Sequence, residues 1–170
     1  MKKIILASGS PRRRELLAQI GLDFEVIVSD AEEVMTSTHP GEVVKELSSC
    51  KAMAVALTLN EDQNDAVVIG ADTVVAQDDR ILGKPKDEEE AFQMLHMLQG
   101  QTHQVYTGVT LINGEKKISF YEKSDVVVYP MSDDEIWEYI HTGEPMDKAG
   151  AYGIQGYFAK YIREVQGEYT

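Results

Sequence analysis

Asp72 stands in the stretch "VVIGADTVVAQ", with two valines and an isoleucine before it and two valines after it. Such an apolar run is typical of a buried strand, where an unpaired charge is costly. Asp72 therefore requires a partner: a metal ion, a cation or a hydrogen-bond donor. Ligand-binding residues of α/β sheets gather at the carboxyl ends of strands, and we expect Asp72 at such an end. An aspartate turn that caps the strand is the structural alternative. Thr73 adds a hydroxyl group beside the carboxylate.

Three consecutive arginines, Arg12 to Arg14, concentrate positive charge near the start of an acidic chain. Residues 1–20 have a net charge of +4, whereas the whole chain has −13. Ser10 is predicted as the N-cap and Pro11 as the first residue of a helix. Arg12 and Arg13 then lie in the first turn, where cations are unfavourable unless an anion binds the free N–H groups. An anion site and a solvated helix face both remain open, and Arg14, about 100° further round the helix, is the expected surface residue.

Other polar side chains have weaker signals. Lys84 lies in "LGKPKD", where glycine and proline form a rigid turn that could aim an ammonium group, although most such lysines are solvent-exposed. Gln155 follows the glycine-rich stretch "DKAGAYGIQG" and offers a donor and an acceptor to a base edge; a plain glycine-rich turn is the alternative. Glu32 and Glu33 follow the strand "FEVIVSD". Acids there are commonly exposed, but one could join Asp72 on a cation.

Strands and helices alternate along the chain, which predicts an α/β fold with a mixed, twisted sheet, flanking helices and two lobes around a cleft. The predicted strands are "KIILAS", "FEVIVSD", "AVVIGADTVVAQDD" (interrupted by Gly-Ala-Asp), "HQVYTGVTLI", "EKKISFYEKSDVVVYP" and the end of "EPMDKAGAYGIQGYFAKYI". The predicted helices are "PRRRELLAQI", ended by Gly21, "HPGEVVKELSSCKAMAVALTLN", "DEEEAFQMLHMLQG" and "MSDDEIWEYIHTG", the last with a capping box of Ser132 and Glu135.

Composition narrows the class of protein. A length of 170 residues, 43% of them apolar and 26% charged, is typical of one well-cored globular domain. A pI near 4.6 argues against a nucleic-acid polymer as partner but not against a small anion in a local pocket. The single cysteine, Cys50, excludes an intrachain disulfide and fits a reducing compartment. No apolar run reaches the roughly 18 residues of a membrane span. We therefore expect a cytoplasmic protein without a membrane partner.

The stretches "LASGSPRRRELL", "GADTVV", "GKP", "VYTGV" and "DKAGAYGIQG" follow one another in this order. Together they resemble the Maf (septum formation inhibitor) family of nucleoside triphosphate pyrophosphatases, over nearly the whole chain. "DKAGAYGIQG" is similar to the branch that hydrolyses dTTP and UTP. The resemblance implies a fold like that of inosine triphosphate pyrophosphatases, with a deep cleft between two lobes. It also implies a reaction that releases pyrophosphate and a nucleoside monophosphate.

The resemblance also implies roles for individual residues. Asp72 matches the catalytic proton acceptor, and Arg12, Thr73 and Gln155 match positions associated with substrate choice. Polar positions that line the cleft of the family are matched by Ser8, Arg13, Glu33, Lys51, Lys84 and Lys148. A divalent cation, Mg²⁺ or Mn²⁺, is expected on Asp72 and Glu33, because hard cations prefer oxygen ligands.

Two departures from the family pattern and several alternatives belong to this prediction. Tyr157, Phe158 and Ala159 follow "IQG", where the family usually has small residues. The chain, expected to be a single domain of residues 1–170, stops before the strand and helix with which the family normally continues. A modified pyrimidine nucleotide is an alternative substrate, and a homodimer is an alternative to a monomer. A nucleotide-binding regulator of septum formation without catalysis is the alternative function.

Overall fold

The computed structural model describes residues 2–30 and 33–167, and in these ranges strands and helices alternate as predicted. The helices are α1 (Pro11–Gln19), α2 (Pro40–Ala56), α3 (Glu88–Leu98) and α4 (Asp133–Ile140). The strands are β1 (Ile4–Leu6), β2 (Glu25–Val26), β3 (Val67–Gln77), β4 (Arg80–Leu82), β5 (Thr102–Asn113), β6 (Lys116–Val128) and β7 (Ile162–Gly167). Within the described ranges, no helix combines the length and the apolar character needed to cross a membrane.

The strands form one seven-stranded sheet in the order β2-β1-β3-β5-β6-β7, with β4 paired to β3. Strand β1 runs parallel to both β2 and β3. The pairs β3–β4 and β6–β7 are antiparallel. The sheet is therefore mixed, and the predicted α/β class is confirmed.

The chain divides into two compact units, each with its own core. The first comprises the residues up to Asp72 together with Thr107–Tyr121, and the second comprises Thr73–Tyr106 and the residues from Glu122 onward. The core of the first unit joins side chains of β1, α2, β3 and β5, among them Ile5, Ala52, Val55, Val68 and Ile112. The core of the second includes Leu95, Leu98, Val126, Ile136 and Phe158. Two units agree with the two expected lobes, and the cleft stays a prediction.

The predicted starts of α1 and α4 are confirmed by their N-caps. The Ser10 side chain accepts a hydrogen bond from the Arg13 backbone N–H, and Pro11 is the first residue of α1. Ser132 and Glu135 form the reciprocal bonds of a capping box at the start of α4. These local contacts need only neighbouring residues, and for that reason the sequence pattern predicts them.

The Gly-Ala-Asp stretch does not interrupt the third predicted strand. Strand β3 runs without a break from Val67 to Gln77, and Asp72 lies in its middle, so the prediction of a strand end was wrong. A Cβ atom at Gly70 would lie 2.3 Å from the carbonyl oxygen of Ser48 in α2. Glycine is needed there because the helix backbone crosses the strand closely, and the glycine does not mark a turn.

Three further elements differ from the prediction. Strand β2 has only two residues, because it pairs with the last two residues of the short β1. A hairpin at Asp78 and Asp79, both at positive φ, leads into β4, which the sequence reading missed. The segment Tyr157–Tyr161 is a 3-10 helix and not a strand, and Phe158 in it is fully buried among aromatic rings. This departure from the family pattern therefore serves the core of the second unit.

His103 in β5 gives the second unit a pH-dependent stability. Its ring is fully buried, its Nε2 is hydrogen-bonded to the hydroxyl group of Tyr152, and burial lowers its pKa to about 4. The unfolded chain, with a histidine pKa of about 6.5, binds the proton first as the pH falls. We therefore expect His103 to reduce the free energy of unfolding between pH 6.5 and pH 4, by about 3 kcal/mol in all, with no further loss below that range.

The measurement is denaturant unfolding of wild type and His103→Gln at several pH values. The stability difference between the two proteins should shift by about 3 kcal/mol across this window. His96→Gln is the matched control, because the side chain of His96 is 60% exposed. A stability difference that is equal at pH 7 and pH 4 would contradict the prediction.

Candidate active site

The start of α1 brings Arg13 against β3. Arg13 Nη1 donates to Ser8 Oγ and to the Ala71 carbonyl oxygen, each at 3.1 Å. Ser8 is itself buried, and its Oγ also accepts from the backbone N–H of Ser10 at 3.2 Å. Two fixed acceptors thus hold the guanidinium group beside Asp72, the residue that follows Ala71. Arg13 is therefore not part of a solvated helix face.

The electrostatics of Arg13 agree with this placement. Burial lowers the pKa of the guanidinium, and the charge of Asp72 acts in the opposite direction. The guanidinium group is so strongly basic that Arg13 keeps its proton even with this lowered pKa. Arg13 therefore contributes a fixed positive charge that attracts the Asp72 carboxylate.

Asp72 has the cation partner that its apolar surroundings require. Lys51 in α2 places its Nζ atom 2.7 Å from Asp72 Oδ1 and 3.8 Å from Glu33 Oε1. The Asp72 side chain is 17% exposed and that of Lys51 is 28% exposed, whereas Glu33 is half-exposed at 52%. The ammonium group thus joins two carboxylates, one inside the sheet and one at the surface. This pair remains reachable from solvent.

Arg12 and Arg14 have separate surroundings, as the sequence pattern predicts. Arg12 Nη1 lies 3.6 Å from Glu15 Oε2, and Arg12 Nε is buried without an acceptor among the described residues. Arg14 is exposed and donates to the Gly9 carbonyl oxygen at 3.3 Å. Arg12 therefore retains a donor for an anion, and the prediction that Arg14 is the surface arginine is confirmed.

The remaining predicted residues belong to the second unit. Thr73 is half-buried in β3, Lys84 is exposed, and Gln155 is exposed in a turn. Lys148 lies 3.3 Å from Asp147. The backbone N–H of Gly150 donates to the Gly83 carbonyl oxygen at 3.0 Å, which ties the turn of Lys84 to the glycine-rich segment after Lys148. The structure thus brings together Ser8, Arg13, Glu33, Lys51 and Asp72, and separately joins the segments of Lys84 and Lys148.

The carboxylates around Asp72 bear on the expected divalent cation. Among residues 2–30 and 33–167, no group of three His, Cys, Asp or Glu side chains is close enough to hold a metal ion. Asp72 and Glu33 nevertheless meet at one ammonium group. Mg²⁺ in phosphate chemistry commonly uses one or two carboxylates and takes its other ligands from phosphates and water. The two carboxylates therefore fit a cation that is shared with a phosphate ligand. Glu32 lies outside the described residues.

The sequence reading missed several groups that shape these sites. It assigned Lys51 only through the family resemblance, because nothing in the spacing along α2 links it to Asp72. The Ala71 carbonyl that receives Arg13 is a backbone group with no sequence signal. Glu144 and Tyr139 were also missed, although the Glu144 carboxylate accepts hydrogen bonds from the Tyr139 hydroxyl and the Tyr157 N–H. The nearby glycines, Gly153 and Gly156, were the available hint of close packing.

Comparison with known proteins places the chain among relatives of similar length. A protein of Agathobacter rectalis named dTTP/UTP pyrophosphatase is 53% identical over 184 residues, covering 100% of this chain and 90% of that protein. Proteins of the same name from Bacillus cytotoxicus and a Thermoanaerobacter species are 51% and 52% identical, covering 99% and 98% of this chain and 87% of each relative.

A solved structure agrees with the fold. The Ham1 protein of Staphylococcus aureus superposes with a TM-score of 0.50 at 17% identity, over 75% of this chain and 72% of that one. The family model described as Maf-like protein matches residues 3–170. The resemblance carried by the arginine, aspartate and glycine-rich motifs is thereby confirmed. On this evidence the chain belongs to the Maf-like protein family.

Proposed function

We propose that this chain hydrolyses dTTP and UTP to the nucleoside monophosphate and pyrophosphate. One observation carries the proposal: Asp72 is a partly buried carboxylate with the Lys51 ammonium at 2.7 Å and the Arg13 guanidinium beside it. Fixed cations next to a proton acceptor suit phosphoryl transfer, in which positioning and charge stabilisation supply most of the catalysis. The relatives named dTTP/UTP pyrophosphatase supply the substrate class.

In the proposed reaction, Asp72 takes a proton from a water molecule as the water oxygen bonds to the α-phosphorus. The bond from the α-phosphorus to the bridging oxygen breaks, and pyrophosphate leaves with the electron pair. Such general-base catalysis contributes about 10²- to 10⁴-fold to a rate. Lys51 donates a hydrogen bond to Oδ1 of Asp72, the general base, and Asp72 lies on the continuous strand β3. The base is thus on a rigid element, as precise positioning requires.

The phosphate charge is assigned to the cations of the first unit. Arg13 is already fixed by Ser8 and Ala71, so binding a phosphate does not require it to be ordered again. Arg12 offers its buried Nε as a donor. Both arginines lie in the first turn of α1, where free backbone N–H groups also favour an anion. A divalent cation on Asp72 and Glu33 would, when bound, neutralise part of the phosphate charge.

Recognition of the substrate's nucleobase is assigned to Gln155. Its side-chain amide can pair with the edge that carries O4 and N3–H, which thymine and uracil share and cytosine lacks. A site built on such hydrogen bonds discriminates strongly, because the wrong base leaves polar groups unpaired. Thr73, Lys84 and Lys148 keep the substrate-binding roles that the family resemblance implies for them.

A nucleotide panel tests the proposed function. Pyrophosphate release should be measured with Mg²⁺ or Mn²⁺ from dTTP, UTP, dCTP and dGTP, and from 5-methyl-UTP and pseudo-UTP as modified pyrimidines. We expect turnover of dTTP and UTP well above that of dCTP and dGTP. Binding of dTTP without turnover under any of these conditions would overturn the proposal and favour the non-catalytic regulator.

A further inference from the structure

The turn that carries Gln155 is held at both ends by one carboxylate from a different segment. We propose that Glu144 is a positioning residue for Gln155, which fixes the turn of residues 153–157 and thereby sets the choice of nucleobase. This inference rests on the proposed function. It adds a residue outside the motifs that carry the family resemblance.

The first support is a chain of hydrogen bonds that spans the turn. The Gly153 N–H donates to the Tyr139 hydroxyl at 3.3 Å, and that hydroxyl donates to Glu144 Oε1 at 2.7 Å. The Tyr157 N–H donates to Glu144 Oε2 at 3.0 Å. Both ends of the turn therefore depend on the same carboxylate, and Gln155 lies midway between them.

The second support is the space that the two glycines leave. A Cβ atom at Gly156 would lie 2.3 to 2.5 Å from the carboxylate atoms of Glu144. A Cβ atom at Gly153 would lie 2.6 Å from the side chain of Lys148. Neither glycine is at a positive φ, so a side chain would be opposed by packing alone, and the ends of the Lys148 and Glu144 side chains would have to shift to make room for it. The turn backbone thus lies directly against Glu144.

The third support is the rigidity of the groups behind the carboxylate. Tyr139 is buried in α4, and its ring packs on Phe158 with centroids 4.9 Å apart. Burial, and then the hydrogen bond to Glu144, raise the pKa of Tyr139 well above its usual value, so its hydroxyl keeps its proton. Gly143, at φ +80°, ends the turn after α4 and directs the chain into Glu144. Glu144 and Tyr139, with the two turn N–H groups that they bind, form a clamp on the turn. The core of the second unit preorganises this clamp.

A consequence for selectivity follows from this geometry. Gln155 is exposed, and its side chain takes no part in the hydrogen bonds described for this turn. Its amide therefore depends on the backbone of the turn for its position. A displacement of about 1 Å at a substrate-positioning group lowers the reaction rate on the order of a hundredfold. Loss of the clamp should affect discrimination between bases more than the chemistry at the phosphate.

The experiment compares kcat/KM for dTTP and dCTP in wild type, Glu144→Gln and Gln155→Ala. We expect Glu144→Gln to lower the dTTP to dCTP ratio by about tenfold to a hundredfold, mainly through a higher KM for dTTP. Glu138→Gln removes the same charge at an exposed position of α4 and should leave the ratio unchanged. If Glu144 has only a structural role, Glu144→Gln should lower the thermal midpoint of unfolding and reduce kcat/KM for dTTP and dCTP equally. That result would overturn the inference.

Double variants separate positioning from general damage. Glu144→Gln should have no further effect on the ratio in the Gln155→Ala background, because Glu144 acts through Gln155. Gly156→Ala should lower the ratio in wild type but much less in Glu144→Ala, where the colliding carboxylate is absent. Gly156→Ala in the otherwise wild-type protein retains Glu144, and its effect on the ratio keeps the test decisive if Glu144→Gln folds poorly. Additive effects in both cycles, or an unchanged ratio in Gln155→Ala, would overturn the positioning role.

The failure of the inference and that of the proposed function give different results. A wild-type protein without pyrophosphate release from dTTP contradicts the proposed function. An active, dTTP-selective wild type whose selectivity survives Glu144→Gln contradicts only the role of Glu144.

Discussion

Replacement of Asp72 by asparagine is expected to lower pyrophosphate release from dTTP by about a thousandfold. The amide keeps the size of the side chain but cannot accept the proton of the attacking water. It also leaves the Lys51 ammonium, now 2.7 Å from Oδ1, with the more exposed Glu33 as its acidic neighbour. Arg12 and Arg13 are unchanged in this variant, so nucleotide binding should largely survive.

The measurement is single-turnover release of pyrophosphate, with dTTP affinity determined separately by calorimetry. Asp65→Asn is the matched control, because the Asp65 side chain is 85% exposed and belongs to the same unit. The control should retain wild-type turnover. Full activity of Asp72→Asn would remove Asp72 from the mechanism, and loss of affinity with intact chemistry would make it a binding residue.

Replacement of Arg13 by methionine is expected to lower kcat/KM for dTTP by about a hundredfold. The change removes a charge-assisted hydrogen bond to phosphate, which contributes about 1.5 to 3 kcal/mol, while keeping most of the apolar stem. It also leaves Ser8 Oγ and the Ala71 carbonyl oxygen without their donor. Because those acceptors lie beside Asp72, a smaller loss in kcat should accompany the rise in KM.

Arg14→Met is the control for the arginine prediction, since it removes the same group one position along the same helix. Arg14 is exposed and its described bond goes only to the Gly9 carbonyl oxygen, so activity should stay within about twofold of wild type. Steady-state kinetics at low and high salt compare the two variants. Equal losses that disappear together at high salt would indicate a general basic surface and not a phosphate site at Arg13.

Helix α1 shows how far local rules predict this molecule. Ser10, Pro11 and the spacing of the arginines determine where the helix begins and which guanidinium groups lie in its first turn. The same holds for the capping box of α4. In each case the stabilising contacts join residues within a few positions of each other. Pattern and structure therefore agree.

Disagreements arose where distant segments meet. Gly70 resembles a strand breaker in the sequence, but it allows α2 to cross β3 closely. The run "YFAKYI" has the composition of a strand, yet most of it is a 3-10 helix because Phe158 packs among Tyr139, Tyr152 and Tyr161. Packing outweighs local preference in both places.

By itself the sequence determined that a buried Asp72 must have a partner and that Arg12 and Arg13 lie at a helix start, because the cost of burying charge and the rules of helix capping are local. It also carried the motifs of the family. Only the tertiary structure decided that Lys51, 21 positions away, is the partner of Asp72, and that Arg13 is held by Ser8 and Ala71. It alone placed Glu144 against the turn of Gln155. These contacts join side chains to groups far along the chain, often to backbone atoms, which have no signature in residue type.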